Sequence, residues 1–439
     1  MKFPQLNVFW NLSLKYLWRY KRRYLFLFLA LGFGFGVLTV ISSLKDGMKE
    51  NLYISAQSHY AGDIIALGIE PDIAIDYYMT KTEQDAILNT ASVISLNPLS
   101  ISVRTALHGR NNGSIYFNGN VAPTRDIIGL DWENEQFYLD KLSFTEKPVL
   151  FEHNSILLSR PIAEELGIRQ GDNLILEVLT ITGQKNTGDF VVNGIVDDSD
   201  IFGYYKVYVS RLTLNPLIGL SDDDCSFIGF YLKNRSMVET KRKILHDSLQ
   251  GKVQALPLVY DRNSYSELKS NSTSGISVLL VTLPVLLSEI DQLMGAIDLA
   301  SYILFAMLLA IIMVSAAVTC RLILHERTRE TGTMRAIGFH EADLRYVLML
   351  EMVTMALFSM TAGFILGLLI NQFFSFMSFS WFPGFEIFMQ NGRLAARYLP
   401  GTIVVNITVT GIMLALAIGG QIYRNSRSPL PEMLYGGTI

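Results

Sequence analysis

The residues best suited to specific polar contacts lie in one charged segment, His325 to Glu351, between two long apolar runs. Its carboxylates and guanidiniums can form charge-assisted hydrogen bonds, which are roughly twice as strong as neutral ones. Glycines among them permit sharp bends of the backbone. The pattern predicts a helical docking surface interrupted by glycines. The residues expected to make its contacts are Glu326, Arg327, Arg329, Glu330, Gly332, Arg335 and Gly338.

Motifs for catalysis, metal binding and nucleotide binding are absent from the sequence. It contains no GxSxG, HExxH, CxxC or GxxxxGK[ST] pattern, so a Walker-type phosphate loop is excluded. The histidines His59, His108 and His153 are scattered, and the Asp222–Asp224 cluster lacks the spacing of a calcium loop. We therefore predict no catalytic residue, no bound metal and no cofactor in this chain. If its work needs energy, another subunit must supply it.

Composition points to a membrane protein. The 439 residues are 50% hydrophobic and only 17% charged, against roughly 25% charged in soluble domains. The net charge of −4 gives no reason to expect a nucleic acid partner. Two cysteines, Cys225 and Cys320, are too few for a disulfide framework.

Four apolar segments are long enough to cross about 30 Å of hydrocarbon at 1.5 Å per residue. They are Tyr24–Leu44, Leu299–Leu324, Val347–Ile370 and Thr402–Ile422. Basic residues precede the first span and occupy the loop after the second, which predicts that both termini are cytoplasmic. The expected fold is a four-span α-helical bundle, N-in and C-in, with a large α+β extracytoplasmic domain between spans one and two.

The predicted order along the chain follows from these spans. It comprises a cytoplasmic amphipathic helix (1–23), the first span (24–44), a periplasmic domain (45–298) with stalk helices at 45–58 and 283–297, the second span (299–324), a cytoplasmic coupling loop (325–346), the third span (347–370), a periplasmic loop (371–401), the fourth span (402–422) and a cytoplasmic tail (423–439). The segment Ile276–Ile297 is apolar enough for a fifth span. Its one-sided apolar stripe from Leu283 instead predicts an amphipathic stalk helix outside the membrane.

The external region shows mixed helix and strand signals. Ser100–Leu107 and Ser114–Asn118, joined through Asn112-Gly113, are interpreted as a β-hairpin. A helix over Pro161–Leu166 is expected to end at Gly167. Further strands are predicted over Leu174–Leu179, Phe190–Val196 and Lys206–Val209, with a possible division into two lobes near Glu152.

Small residues recur one turn apart within the spans. This spacing lets helix backbones approach closely, either within one bundle or across a dimer. An alternative is that glycine is simply common in membrane helices. The predicted packing residues are Gly32, Gly36, Gly363, Gly367, Gly411 and Gly419.

Several segments together resemble a known family. They are Asn11–Val37, Ile156–Leu176, Phe190–Val196 and, most specifically, HERTRETGTMRAIGF at His325–Phe339. They are similar to the entry helix and first span, the external "A..LG...GD" element, the strand after it and the "ER..EIG.LRAIG" loop of FtsX-like, MacB-type (type VII) ABC transporter permeases. In layout the chain is closest to the lipoprotein-releasing LolC/LolE permeases.

The resemblance implies a permease subunit and not an enzyme. In such proteins the loop between spans two and three is a coupling helix seated in a separate ABC ATPase dimer, which binds ATP and Mg²⁺. The implied mechanism is mechanotransmission: ATP-driven movement does work in the periplasm and passes nothing through the membrane. The implied location is the bacterial inner membrane, with a second permease, the same chain or a paralogue, as partner. A periplasmic carrier or adaptor is a further possible partner.

Three functions remain open under this resemblance. Lipoprotein release is the first. An efflux permease of a tripartite system would usually carry its ATPase fused, and FtsX-like signalling to cell-wall hydrolases would use a smaller external domain. A membrane-anchored periplasmic enzyme ranks last, since one span would suffice and no catalytic constellation is present.

Overall fold

The computed structural model describes residues 21–71, 73, 75, 77–109, 112–148, 151–197, 202–270, 275–377, 379, 389 and 393–426. The chain divides into two compact units. The first contains Met1–Glu50, Gly295–Phe379 and Arg393–Ile439, and the second contains Asn51–Met294 and Ser380–Gly392. Residues 1–20 of the predicted N-terminal amphipathic helix lie outside the described residues, as do residues 427–439 of the predicted C-terminal tail.

The elements follow one another in a simple order. They are α1 (Lys21–His59), β1 (Ile64–Ile69), α2 (Lys81–Val93), β2 (Ser100–His108), β3 (Gly113–Phe117), β4 (Asn120–Pro123), β5 (Asp126–Leu130), α3 (Gln136–Leu139), β6 (Phe144–Glu146), β7 (Ser155–Ser159), α4 (Arg160–Leu166), β8 (Asn173–Leu179), β9 (Lys185–Val196), β10 (Lys206–Ser210), α5 (Arg211–Ile218), β11 (Phe227–Tyr231), a 3₁₀ turn (Arg235–Met237), α6 (Val238–Leu249), β12 (Gln254–Ala255), α7 (Arg262–Ser270), β13 (Ser277–Thr282), α8 (Leu283–Leu286), α9 (Ser288–Glu326), α10 (Thr328–Ala336), α11 (Glu341–Phe376) and α12 (Pro400–Ser426).

Four of these helices, α1, α9, α11 and α12, are long and apolar enough to cross a membrane. Each contains one of the four predicted spans. A large α/β region lies between the first and second of them. The predicted fold class, four membrane helices with an inserted α+β domain, is thereby confirmed, whereas the orientation of the helices stays a prediction.

Helices α1 and α11 approach each other through glycines. A Cβ atom added to Gly36 would lie 3.0 Å from the carbonyl oxygen of Gly363, and one on Gly363 would collide with the carbonyl oxygen of Gly32. A Cβ on Gly367 would lie 3.1 Å from the carbonyl oxygen of Gly36. Backbone contact this close leaves no space for a side chain.

The remaining two predicted packing glycines lie elsewhere. A Cβ on Gly419 would lie 3.1 Å from the Met349 methyl group, so this glycine of α12 faces α11. A Cβ on Gly411 would meet nothing within 4 Å among the described residues. The structure therefore brings together only four of the six predicted glycines.

The described residues of the second unit form a mixed sheet of thirteen strands. The strand order is β12-β13-β1-β11-β2-β5-β10-β7-β9-β8-β3-β4, and β6 pairs with β9. Neighbouring residues of β10 belong to opposite cores, with Val207 and Val209 in one apolar cluster and Tyr208 in another. A strand buried on both faces needs apolar residues at successive positions, which explains the near-continuous apolar runs of the central strands.

The predicted β-hairpin through Asn112-Gly113 is wrong. Strand β2 pairs with β11 and β5, whereas β3 pairs with β4 and β8. The hairpin joins β3 to β4 through Asn118-Gly119, where both residues have positive φ, 49° and 80°. A two-residue type I′ turn needs positive φ at both central positions. Both Asn-Gly pairs fit this turn locally, and the pairing partners of β2 decide which one forms it.

The stalk helix predicted from Leu283 is interrupted. Strand β13 ends at Thr282, the short helix α8 ends at Leu286, and Leu287 separates it from α9. Strand β13 lies beside β1 over six residue pairs and is buried throughout. A short apolar run cannot be assigned to helix or strand by periodicity alone, so pairing with β1 decides it.

The helix end predicted at Gly167 is present, whereas the predicted division into two lobes near Glu152 is absent from the described strands. Helix α4 ends at Gly167, whose φ of 70° is the left-handed value of a helix C-cap. Strand β5 pairs in parallel with β10, so strands from before and after Glu152 alternate in one sheet. No division of the described strands occurs at Glu152.

Candidate functional site

The charged segment predicted for docking forms a short helix between two long ones. Helix α9 ends at Glu326, α10 covers Thr328–Ala336, and α11 begins at Glu341. Gly338 has a φ of 107°, which ordinary side chains rarely adopt, so it makes the turn between α10 and α11. Gly332 is buried inside α10 and does not bend the chain. Of the two predicted bends, only the one at Gly338 is present.

Arg327 lies at the joint between α9 and α10, and its guanidinium is directed inward. It is 3% exposed, and its Nη1 donates to Glu351 Oε2 at 2.7 Å. The Tyr24 hydroxyl donates to Glu351 Oε1 at 2.5 Å and accepts from Arg327 Nη1 at 3.3 Å. Arg327 Nε also pairs with Glu330 at 3.2 Å. We call Tyr24, Arg327 and Glu351 the Arg327 cluster.

This cluster connects α1 and α11 to the joint between α9 and α10. Tyr24 belongs to α1, Arg327 joins α9 to α10, and Glu351 belongs to α11 and is fully buried. Removing one member of a buried ion pair leaves the other charge uncompensated, which typically costs about 3–5 kcal/mol. The sequence prediction included Arg327 but missed Tyr24 and Glu351. The signal was available, since Glu351 is a carboxylate inside a predicted span, where charge is expensive.

The outward face of the segment combines charge with apolar area. Glu326 and Arg329 are exposed, and Arg335 pairs with Glu341 at 2.8 Å. Beside them Ile337 is 76% exposed and Phe339 is 41% exposed. Exposed apolar side chains rimmed by charge mark contact surfaces. We call Glu326, Arg329, Ile337 and Phe339 the α10 surface; the two apolar residues, on either side of Gly338, were missed by the sequence prediction.

A second arrangement of polar side chains lies in the second unit, around a cavity of about 710 Å³. Asp126 begins β5, and its register partners are His108 at the end of antiparallel β2 and Lys206 at the start of parallel β10. His59 is the last residue of α1. The structure thus brings together two histidines that appear scattered in the sequence, with ring centroids 6.1 Å apart.

Hydrogen bonds connect the polar groups at this cavity. His108 Nδ1 lies 2.7 Å from Asp126 Oδ1, and the ammonium of Lys206 lies 3.2 Å from His59 Nδ1. Arg125 Nε lies 4.0 Å from the other Asp126 oxygen. Burial alone would raise the pKa of Asp126, but the hydrogen bond from His108 and the neighbouring positive groups lower it well below its usual range. Asp126 is therefore a carboxylate anion at neutral pH.

His59, His108 and Asp126 could each offer one metal-ligand atom within 4.8 Å of the others. The buried ammonium of Lys206, 1% exposed, lies 3.2 Å from His59 Nδ1. Two unit charges of like sign about 4 Å apart repel by about 4 kcal/mol at an effective dielectric constant of 20. A divalent cation would meet this repulsion from Lys206, so the arrangement disfavours a metal.

Comparison with known proteins identifies the C-terminal part of the chain. Residues 302–428 match the family model described as FtsX-like permease C-terminal. A solved structure, the periplasmic region of MacB from Actinobacillus actinomycetemcomitans, is similar over 54% of this chain and 95% of that one, with 10% identity and a TM-score of 0.31. No curated protein matches the chain. The family match confirms the resemblance inferred from the charged segment: residues 302–428, which include that segment, are similar to the C-terminal region of FtsX-like permeases.

Proposed function

We propose that this permease couples ATP hydrolysis by a separate ABC ATPase dimer to conformational work on the far side of the membrane. The observation that carries the proposal is the α10 surface, where exposed charged and apolar side chains lie on the short helix α10 and directly beside its two ends. Exposed apolar side chains rimmed by charge are typical of a site that contacts another protein. The catalytic chemistry, with ATP and Mg²⁺, belongs to the partner.

The Arg327 cluster connects the segment that carries the α10 surface to the membrane helices through hydrogen bonds. Because Arg327 bonds to Tyr24 and Glu351, a displacement of α10 pulls on α1 and α11 as well as on α9. Helices α1 and α9 each contain residues of both units. Movement at α10 can therefore be passed along two continuous helices. This supports mechanotransmission as the mechanism.

The proposed topology and assembly follow from charge and from stoichiometry. Both termini and the α10 surface lie in the cytoplasm by the distribution of basic residues, and the second unit lies in the periplasm of the bacterial inner membrane. One chain supplies one coupling helix, whereas an ATPase dimer offers two clefts. A second permease, either another copy or a paralogue, completes the complex.

The proposed cargo is a lipoprotein released from the inner membrane. Support comes from the layout, in which a large domain is inserted between the first and second membrane helices. A periplasmic carrier that receives the cargo would be a further partner.

Co-purification of the tagged full chain with ATPases of the same cell tests the coupling proposal. In detergent, the unchanged chain should recover an ATPase, and the variant Arg329→Glu with Phe339→Ala should lose it. Arg424→Glu is the matched control, because Arg424 is an exposed arginine at the end of α12 and lies outside the α10 surface. Equal recovery with both variants, or no ATPase with any of them, would contradict the proposal.

Cargo identity needs a separate experiment. In cells depleted of this chain, lipoproteins destined for the outer membrane should accumulate in the inner membrane, as measured by fractionation. Normal lipoprotein localisation together with retained ATPase binding would exclude release and favour efflux or signalling.

A further inference from the structure

The cavity of the second unit has the dimensions of a small-molecule site. Its volume of about 710 Å³ lies within the roughly 300–1,000 Å³ typical of such sites. A neighbouring cavity of about 500 Å³ shares Tyr60, Tyr77 and Leu286 with it as walls. The two cavities together can accommodate a molecule with a head group and an extended body.

Positive charge exceeds negative charge around these two cavities. Among the described wall residues, Arg125, Arg262 and Lys269 are fixed cations, and buried Lys206 lies directly behind His59. The wall carboxylates are Asp126 and Glu165. Asp126 accepts from His108 and lies 4.0 Å from Arg125, and Glu165 accepts from the Tyr205 hydroxyl. The four cations outnumber the two carboxylates, so the surroundings of the two cavities carry a net positive charge that favours an anion.

The remaining wall is aromatic and aliphatic. Tyrosine rings offer apolar faces together with a hydroxyl that can reach a polar group, so they suit ligands with both kinds of surface. Tyr204 is 42% exposed, which leaves part of this wall open to solvent. The wall residues of this kind include Tyr60, Tyr77, Tyr204, Tyr205, Phe227 and Leu286.

We propose that this cavity binds an amphipathic anion, a carboxylate or phosphate group attached to an apolar body. The anionic group lies towards Arg125 and the His59–Lys206 pair, and the body lies along the tyrosines. The lysine beside His59 gives this centre a preference for an anion over a divalent metal ion. The proposal concerns ligand binding by the second unit and does not depend on the proposed coupling to an ATPase.

Binding of octanoate to the full chain in lipid nanodiscs tests this proposal. Radiolabelled octanoate is measured by equilibrium dialysis, with empty nanodiscs subtracted. Octanamide is the neutral match, and acetate supplies the head group without the body. Saturable binding of octanoate is expected, with octanamide at least about 10-fold weaker and acetate failing to compete. Competition by octyl phosphate at a lower concentration than octanoate would indicate a phosphate head group, and the reverse order a carboxylate.

Substitutions locate the site. Arg125→Gln should weaken octanoate binding about 10-fold, the loss that about 1.4 kcal/mol represents, because it removes a charge whose side chain is about half exposed. Arg169→Gln, an exposed arginine of the same unit outside the cavity wall, is the matched control and should bind normally. Lys206→Met is a second test, to be read only where thermal unfolding matches that of the unchanged chain.

Three outcomes would overturn the proposal. One is equal binding of octanoate and octanamide, which would remove the preference for charge. Another is unchanged affinity in Arg125→Gln, which would place any bound octanoate elsewhere. The third is stoichiometric Zn²⁺ binding that His59→Ala abolishes, which would make the histidine pair a metal site.

Discussion

At the scale of single residues, Glu351 combines complete burial with a carboxylate inside the first unit. Its carboxylate is fully buried and accepts from both Arg327 and Tyr24. Ionic groups in such a place are expensive and are retained where geometry or function requires them. The sequence pattern placed Arg327 on a contact surface, whereas the structure directs its guanidinium into the bundle. Arg329, two positions later, is exposed and remains available for a partner.

Glu351→Ala is expected to destabilise the chain by about 3–5 kcal/mol, because the buried guanidinium of Arg327 would lose its counter-ion. The double change Glu351→Met with Arg327→Met should recover much of this loss, since it removes both charges together. Thermal unfolding in detergent measures both. Glu341→Ala is the control, because Glu341 forms a half-exposed pair with Arg335 worth at most about 1 kcal/mol. Equal losses for Glu351→Ala and Glu341→Ala would contradict the prediction.

The lowered pKa of Asp126 leads us to expect that the stability of the second unit depends on pH. Its pKa is lowered in the folded chain, so the unfolded state binds a proton at higher pH than the folded state does. The contribution of Asp126 is therefore complete above its ordinary pKa near 4 and is lost as pH falls towards the lowered folded value. The expected result is a loss of stability below about pH 4 that is smaller in Asp126→Asn. Unfolding curves between pH 2 and 7 measure it, and parallel pH profiles of the two proteins would contradict it.

The thiol of Cys225 should not react with alkylating reagents in the folded chain. The thiol is fully buried, and burial raises its pKa to about 12, so little thiolate exists at pH 8. Alkylation by iodoacetamide at pH 8 should label Cys225 only after denaturation, as measured by mass spectrometry of its peptide. Rapid labelling of the native chain would show that this part of the sheet opens, contrary to its complete burial.

At the scale of elements, the contact between α1 and α11 depends on backbone proximity at Gly32, Gly36 and Gly363. Without side chains between them, the two helices gain van der Waals contact along their backbones. The spacing of the glycines predicts close helix contacts but does not indicate which helices meet. The pairing of α1 with α11 leaves Gly411 outside the contact, since a Cβ atom there would have no neighbour within 4 Å among the described residues.

Gly363→Ala is expected to force α1 and α11 apart and to cost about 1–3 kcal/mol, as overpacking of a tight contact does. Its added methyl group would collide with the carbonyl oxygen of Gly32. Gly411→Ala, in open space, should be neutral or slightly stabilising, because alanine favours helix. The melting temperatures of the two variants in detergent measure the difference. Equal melting temperatures for Gly363→Ala and Gly411→Ala would contradict the packing argument.

For the molecule as a whole, the continuity of α1 is the property that the proposed mechanism needs. Met48→Pro should break it, since proline inside a helix removes a hydrogen bond and clashes with the preceding turn, at about 3 kcal/mol or more. The expected phenotype is an ATPase that still co-purifies and a lipoprotein that is no longer released. Met48→Leu, which preserves the helix, is the control. Retained release in Met48→Pro at a normal expression level would argue against transmission through α1.

The sequence alone was sufficient wherever the physical constraint is local. Membrane crossing requires a run of about twenty apolar residues, and Tyr24–Leu44 meets that requirement without any knowledge of its neighbours. Positive φ at Gly167 also follows from the residue type and its place after an apolar helix. The charged segment from His325 was recognised in the same way, from composition and spacing between two spans.

Only the tertiary structure decided which distant residues meet. Asp126 lies between His108 and Lys206 because β5 pairs with β2 on one side and β10 on the other, and local periodicity carries no information about such partners. Likewise, Arg327 and Arg329 differ by two positions, and the direction in which each points depends on where α1 and α11 pack. Strand pairing and burial depend on the whole chain. The cavity and the Arg327 cluster could therefore be found only in the tertiary structure.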